Sequence, residues 1–329
     1  MMWWKKRVGT CILISAVSVA AIIALRSCMT QHTRPFGYQD ISFSCAPGGG
    51  RLVFNAIGKG GRDLFMLDLN KMYVTAVTNS PEYESCPTFS PDGRSIVYSS
   101  GRRWDRADHL YLQDLKTHRI TQLTSEDAND CAPVFTPDGS RILFTHDTHY
   151  NWGGMATSWS GGGSVWSIKR DGTDLRRVLP SNIWADAPRL SSDGKMLLWR
   201  GTEGVWVARS DGSGTPRQIV NEGRDAVFSP SGDKVAFTQG QYSPDLKIYV
   251  MPVAGGQPTL LTPRSGGCFC PRYSPDGKAI FFLEEDWPNG GSAGPECSLW
   301  RIGTDGEHLQ KLAGGRLFDN PMSPDSFKR

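Results

Sequence analysis

A four-residue turn signature recurs along this chain and constrains its fold more than any other feature. Ser90-Pro91-Asp92-Gly93 returns as Thr136-Pro137-Asp138-Gly139, Ser191-Ser192-Asp193-Gly194, Ser229-Pro230-Ser231-Gly232 and Ser274-Pro275-Asp276-Gly277, with a degenerate copy at Ala46-Pro47-Gly48-Gly49. Proline presets φ, aspartate can bond the backbone ahead of it and glycine accepts a positive φ, so each copy reads as a tight turn. The copies start at 46, 90, 136, 191, 229 and 274, which places them 44, 46, 55, 38 and 45 residues apart. A period of that length is the length of one four-stranded propeller blade.

Two aromatic columns share the period. Five residues after each turn glycine stands Phe54, Tyr98, Phe144, Trp199, Phe237 or Phe282, and further on stands Phe65, Tyr111, Trp166, Trp206, Tyr249 or Trp300. Large rings suit the wedge between neighbouring blades. Segments such as Arg94–Tyr98, Arg141–Phe144 and Lys278–Phe282 are β-branched and aromatic runs that follow turn signals, and Asp171-Gly172, Asp211-Gly212 and Gly255-Gly256 mark tight turns between later strands. The predicted fold class is all-β: a six-bladed propeller of four-stranded antiparallel blades over residues 41–325. A linker (31–40) precedes it, a short tail (326–329) follows, and no long amphipathic helix is visible after residue 30. Asp319–Asp325 begins a seventh copy, which either closes the ring within the first blade or forms a tail.

The first thirty residues differ. A basic leader ending in Lys5-Lys6-Arg7 precedes Val8–Leu25, an uncharged run. That length is at the lower limit for a membrane-spanning helix, and the basic side should stay in the cytoplasm, so the body is expected outside it. Three readings stay open: a signal-anchor helix, a lipoprotein signal in which Leu25-Arg26-Ser27-Cys28 resembles a lipobox and Cys28 would be lipidated, or simple cleavage and secretion. Six cysteines lie in the body (Cys45, Cys86, Cys131, Cys268, Cys270, Cys297), an even number that permits disulfides in an exported chain. A net charge of +3 is too mild to argue for nucleic acid.

The Ser-Pro-Asp-Gly turns, followed by strands such as Leu110–Leu115 and the segment Gln122-Leu123-Thr124, resemble the TolB-type, WD40-like propeller repeat over about residues 40 to 325. The resemblance implies a periplasmic propeller of the bacterial envelope that binds a partner protein. The same repeat covers the active sites of prolyl oligopeptidase-like proteases, which need an α/β-hydrolase domain that is not visible here. Gly290-Gly291-Ser292-Ala293-Gly294 matches a nucleophile elbow in letters but lies between two strands. Oligogalacturonate lyases, which use a histidine-bound metal inside a propeller, also resemble this architecture, yet no histidine triad occupies repeat-equivalent positions.

Blade geometry separates two faces. The Pro-Asp-Gly turns fall on one; the long insertions at Ser99–Asp108, His146–Gly163 and Glu284–Glu296 fall on the other. Function concentrates in loops held by a rigid scaffold, and aromatic and arginine side chains dominate binding hot spots. The candidate binding residues are therefore Arg102, Arg103, Trp104, Arg106, His146, His149, Tyr150, Trp152, Glu284, Glu285, Asp286 and Trp287. His146 and His149 are weak candidate metal ligands without a third partner, and no catalytic residue is assigned. Cys86, Cys131, Cys268 and Cys270 fall near one channel mouth. Asp130, Asp186 and Asp225 line the funnel or cap blade turns, with capping the simpler reading. The expected function is non-enzymatic: a membrane-tethered module for an envelope protein or peptide, with no cofactor. The alternatives are a metal-dependent lyase or hydrolase at the channel mouth and a structural scaffold of an envelope complex.

Overall fold

The structure is a computed structural model of the chain, and it describes residues 41–57, 61–101, 107–148, 163–241, 243–286, 296–314, 318 and 321–322. The first repeat contributes β1 (Phe43–Cys45), β2 (Arg51–Ile57), β3 (Arg62–Asp68) and β4 (Tyr73–Ala76). The second contributes β5 (Tyr83–Phe89), β6 (Ser95–Gly101), β7 (His109–Asp114) and β8 (Ile120–Gln122), and the third β9 (Asn129–Phe135), β10 (Arg141–Asp147), β11 (Ser164–Lys169) and β12 (Arg176–Arg177). The fourth contributes β13 (Asp186–Leu190), β14 (Met196–Gly201), β15 (Gly204–Arg209) and β16 (Arg217–Asn221). The fifth contributes β17 (Gly223–Phe228), β18 (Lys234–Gln239), β19 (Lys247–Pro252) and β20 (Thr259–Leu260), and the sixth β21 (Gly267–Tyr273), β22 (Ala279–Asp286), β23 (Glu296–Gly303) and β24 (Gln310–Ala313). The repeats from the third to the sixth are each a separate four-stranded antiparallel sheet. The first two are likewise meanders, merged into one sheet by a single parallel pair, Arg62 with Tyr83.

The core lies between repeats. Val53, Leu64 and Met66 of the first meet Phe89, Ile96 and Tyr98 of the second. Val97 and Leu110 meet Ile142, Phe144 and Ile168 in the same way, and Val227, Ala236 and Ile248 meet Ile280, Phe282 and Ile302. The two aromatic columns turn out to be register partners across the second and third strands: Phe54 with Phe65, Tyr98 with Tyr111, Phe144 with Trp166, Trp199 with Trp206, Phe237 with Tyr249 and Phe282 with Trp300. Three of these pairs stack, with centroids 5.9, 5.9 and 5.8 Å apart. These three pairs are therefore stacked within a sheet as well as wedged between sheets.

The first strands form a closed cycle of neighbours: β1 contacts β5, β5 contacts β9, β9 contacts β13, β13 contacts β17, β17 contacts β21, and β21 returns to β1. Five of them carry a bulge with one residue in the left-handed region, at Cys86, Ala132, Ala187, Asp225 and Cys270, with φ between 50° and 55°. Such bulges re-aim a strand and its side chains. The Cys86 amide at its bulge donates to Ser42 Oγ (2.9 Å), and the Ala187 amide to Thr145 Oγ1 (2.9 Å), tying each bulge to the preceding repeat. At the junction of last and first repeats, Arg272 Nε donates to the Phe43 carbonyl (3.1 Å). Among the described residues no strand follows β24, and β1 itself fills the innermost place of the first repeat. The C-terminal segment contributes Phe318, buried edge-on against Phe54 at 5.5 Å. The N-terminal membrane or signal segment and Cys28 lie outside the described residues; among those described, no helix is long and apolar enough to cross a membrane.

Candidate functional site

The meanders send their first and third turns to one face, and their middle loops and connections to the next repeat to the other. The turn face is closed by its own chemistry. Ser90 Oγ donates to Asp92 and accepts from the Ser95 amide (2.9 Å), while Asp92 also accepts from the Arg94 amide (3.0 Å). The hydroxyl bond in each turn is the main reason that Asp92, Asp138, Asp193 and Asp276 are held below the usual carboxylate range. In the fifth copy Ser231 replaces the aspartate, and Asp233 accepts from Ser229 Oγ (2.9 Å) in its stead. Successive turns also pack on one another. Pro47 lies against Gly93, Pro91 against Gly139, Pro137 against Gly194 and Pro230 against Gly277; a side chain on Gly194 would crowd the proline ring, and on the other three would touch it.

On the loop face, Arg102, Arg103, Trp104, Arg106, His149, Tyr150, Trp152 and Trp287 lie outside the described residues, as does Gly290–Gly294. His146, Glu284, Glu285 and the backbone of Asp286 are described, and their placement corrects the expectation that they stand in loops. They belong to β10 and β22. Pairing continues to the last residue of each strand: His146 is opposite both Asp130 and Ser164, Asp147 is opposite Asn129, and Asp286 is opposite Glu296. The insertions accordingly shrink to 102–108, 148–163 and 287–295. His146, Glu284 and Glu285 are 4–5% exposed, so they are buried polar groups beneath the loops rather than solvated contact residues.

These groups are partnered across strands. His146 Nδ1 stands 2.7 Å from Asp130 Oδ1, and its ring lies 4.8 Å from Trp166, whose Nε1 donates to Ser164 Oγ. The other Asp130 oxygen is buried with no hydrogen-bond partner. Neighbouring Asp108 is pushed up to about 6, first by burial and then by the Asp130 charge. In the next interface Asp186 accepts from Thr145 Oγ1 (2.9 Å) and forms an ion pair with Arg200, which lies over Trp184. Glu284 pairs with Arg264, and that guanidinium stacks on Trp300 at 3.9 Å. Burial raises Glu285. Burial also pushes Glu84 up to about 7, against the stabilising bond from Ser80 and with the Asp63 charge adding to the rise. Asp130 is thus the partner of a buried imidazole and Asp186 of a half-buried guanidinium, while Asp186 Oδ1 also accepts from the Ala187 amide at the bulge (2.7 Å). Counting outward from Thr136–Gly139 along both strands would set His146 opposite Cys131; the bulge at Ala132 shifts the register by one residue and brings Asp130 there instead, which the spacing in the sequence hides.

On the first strands, Cys45, Cys86, Cys131, Cys268 and Cys270 carry free thiols. Burial pushes the Cys45 and Cys270 thiols up to about 12 and raises Cys86 and Cys131, so these sulfurs are neutral donors rather than nucleophiles. Cys268 instead joins the apolar core between the fifth and sixth repeats. Among the described residues no group of three or more His, Cys, Asp or Glu is arranged to hold a metal ion. Chemically, the loop-side end offers one Asp–His dyad, two shielded ion pairs and several buried carboxyl groups.

No protein-family model matches the sequence. No curated protein matches it either. Solved structures do match. TolB from Acinetobacter baumannii superposes with a TM-score of 0.63 at 22% identity, covering 80% of this chain and 63% of that one, so this chain spans less than two thirds of that protein. A putative TolB from Agrobacterium tumefaciens gives 0.58 at 18% identity, covering 75% and 87%. An oligogalacturonate lyase in complex with manganese gives 0.59 at 16% identity, covering 83% and 78%. What is shared at these identities is the fold. The described residues have the fold of a TolB-like β-propeller.

Proposed function

We propose that this chain is a six-bladed, non-enzymatic docking module held outside the cytoplasm by its N-terminal segment, and that it binds a protein or peptide of the cell envelope on its loop face. The observation that carries the reading is the asymmetry of the two faces. Proline-on-glycine packing occupies the turn face, and the aspartates there are consumed by their own turns. The opposite face carries connections of unequal length over a floor of buried charged groups. A rigid floor beneath variable loops is the usual arrangement of a recognition surface. The TolB fold supports a protein partner in general, and the resemblance in the repeats supports an exported propeller.

The test is site-specific photocrosslinking of the full-length protein in its native membranes. A benzophenone side chain at Glu126 or Asn182, both exposed on the loop face, is expected to capture a discrete protein. The same group at Asp138 or Asp276, exposed in the turns, is expected to capture none. Capture from the turn positions alone overturns the reading.

One observation favours a second reading, an enzyme at the channel mouth. The Asp130–His146 dyad leaves the other imidazole nitrogen for a ligand or a proton, and one structural neighbour is a lyase in complex with manganese. Elemental analysis of the membrane-derived protein separates the two readings. Stoichiometric metal that His146→Ala removes would favour the enzyme.

A further inference from the structure

The repeat position two residues before each turn is filled by Ser44, Thr88, Val134, Arg189, Val227 and Arg272. In four repeats this residue joins neighbouring sheets. Val134 and Val227 pack into the inter-repeat cores, Thr88 Oγ1 donates to the Pro133 carbonyl (2.8 Å), and Ser44 Oγ lies at hydrogen-bond distance from the Phe89 amide (3.5 Å). The fold does not require an arginine here, yet the fourth and sixth repeats each place one after a proline. Both are held alike: Arg189 NH1 donates to the Pro188 carbonyl (2.7 Å) and Arg272 NH1 to the Pro271 carbonyl (2.8 Å).

Arg189 and Arg272 hold the same repeat position on two first strands of the cycle, and Arg189 is within electrostatic reach of Cys86 of the second repeat, Asp225 of the fifth, and Cys270 and Arg272 of the sixth. Only the axial channel brings those together. Burial, and next the Arg272 charge, pull Arg189 down to about 10. Neither arginine has an ion-pair partner among the described residues. Their remaining N–H groups are not sealed from water, since none is among the enclosed, unpartnered atoms. Arg272 Nε is engaged with Phe43, so part of its role is to join the sixth repeat to the first; Arg189 has no such duty. The surrounding thiols are neutral, leaving two cations against the one carboxylate of Asp225. Asp130 and Asp186, nearer the loop face by about 10 Å at strand rise, already have partners.

Two like charges held near one another repel, a counter-charge relieves that repulsion, and the guanidinium fork matches an oxyanion with two oxygens. We infer that the axial channel holds a small oxyanion, carboxylate or phosphate in class, between Arg189 and Arg272 at the level of the strand bulges, with the Cys86 and Cys270 thiols beside it. The site is independent of what docks on the loop face.

The test is thermal unfolding of the full-length protein in citrate and in phosphate, each against sodium chloride of equal ionic strength, with equilibrium dialysis of the labelled anion as a direct reading. At least one of the two is expected to raise Tm in a saturable way that chloride does not reproduce. Arg189→Lys, which keeps charge and bulk but loses the fork, is expected to weaken binding by about tenfold or more. Arg209→Gln, an exposed arginine on β15, is expected to leave it unchanged. If neither anion binds above the chloride control, or Arg189→Lys and Arg272→Lys bind as tightly as the parent, the inference is wrong. If an acidic peptide binds at these arginines and neither free anion does, the channel takes a partner's carboxylate and a free ion site is excluded.

Discussion

At the scale of single residues, Glu84 shows how the fold tolerates charge at its loop-side end. Its carboxyl is 3% exposed, faces Asp63 and Tyr98, and has Ser80 and Thr78 hydroxyls as donors. Its folded pKa is raised from an ordinary 4.5 to about 7. For a carboxyl raised on folding, the favourable contribution is present below the unfolded value and is lost as pH climbs through the folded one, here between 4.5 and about 7. Glu84→Gln removes that loss. Denaturant unfolding at pH 5 and pH 8 is expected to show the parent losing up to about 3 kcal/mol more than the variant across that interval. Equal pH dependence in the two proteins would mean that the carboxyl is solvated. Three threonines work at the same scale: Thr78, Thr124 and Thr262 each accept from an amide near the start of a third strand, those of Leu64, Leu110 and Ile248.

At the scale of the element, the unit is a meander whose second and third strands are fastened by a facing aromatic pair. In the fifth repeat Phe237 is fully buried and stacks on half-buried Tyr249 with centroids 5.8 Å apart and planes 19° from parallel. Phe237→Ala is expected to destabilise by about 3–5 kcal/mol. A double-mutant cycle with Tyr249→Ala should return a coupling of about 0.5–1.5 kcal/mol from the ring pair. Zero coupling in urea unfolding would show that the rings only fill the wedge between sheets. This element was largely legible in the sequence, because turn chemistry and alternation are local: the turns fix where the second strand begins, and five residues on comes the ring. The ring pairing itself follows from register, which needs the strand partner. The ends of β10 and β22 were harder to read. His146 and Glu284–Asp286 are polar, and polarity reads as loop unless the facing Asp130 or Arg264 is known.

At the scale of the whole molecule, successive sheets share cores, the first strands form a cycle, and the two faces differ in kind. The resemblance in the repeats carried the fold, and the superposition on TolB structures agrees with it. The groups at the axis were less legible. Arg189, Asp225, Cys86 and Cys270 come from four repeats and meet only when the cycle closes, so no local pattern marks them. As proposed above, this molecule works through its loop face. The most direct measurement is hydrogen exchange of the full-length protein, alone and with its captured partner bound. Slowed exchange is expected at the starts of the first strands and the connections into them, around 125–131, 181–187 and 264–269. Protection confined to the turns at 91–94, 137–140 and 275–278 would contradict the account.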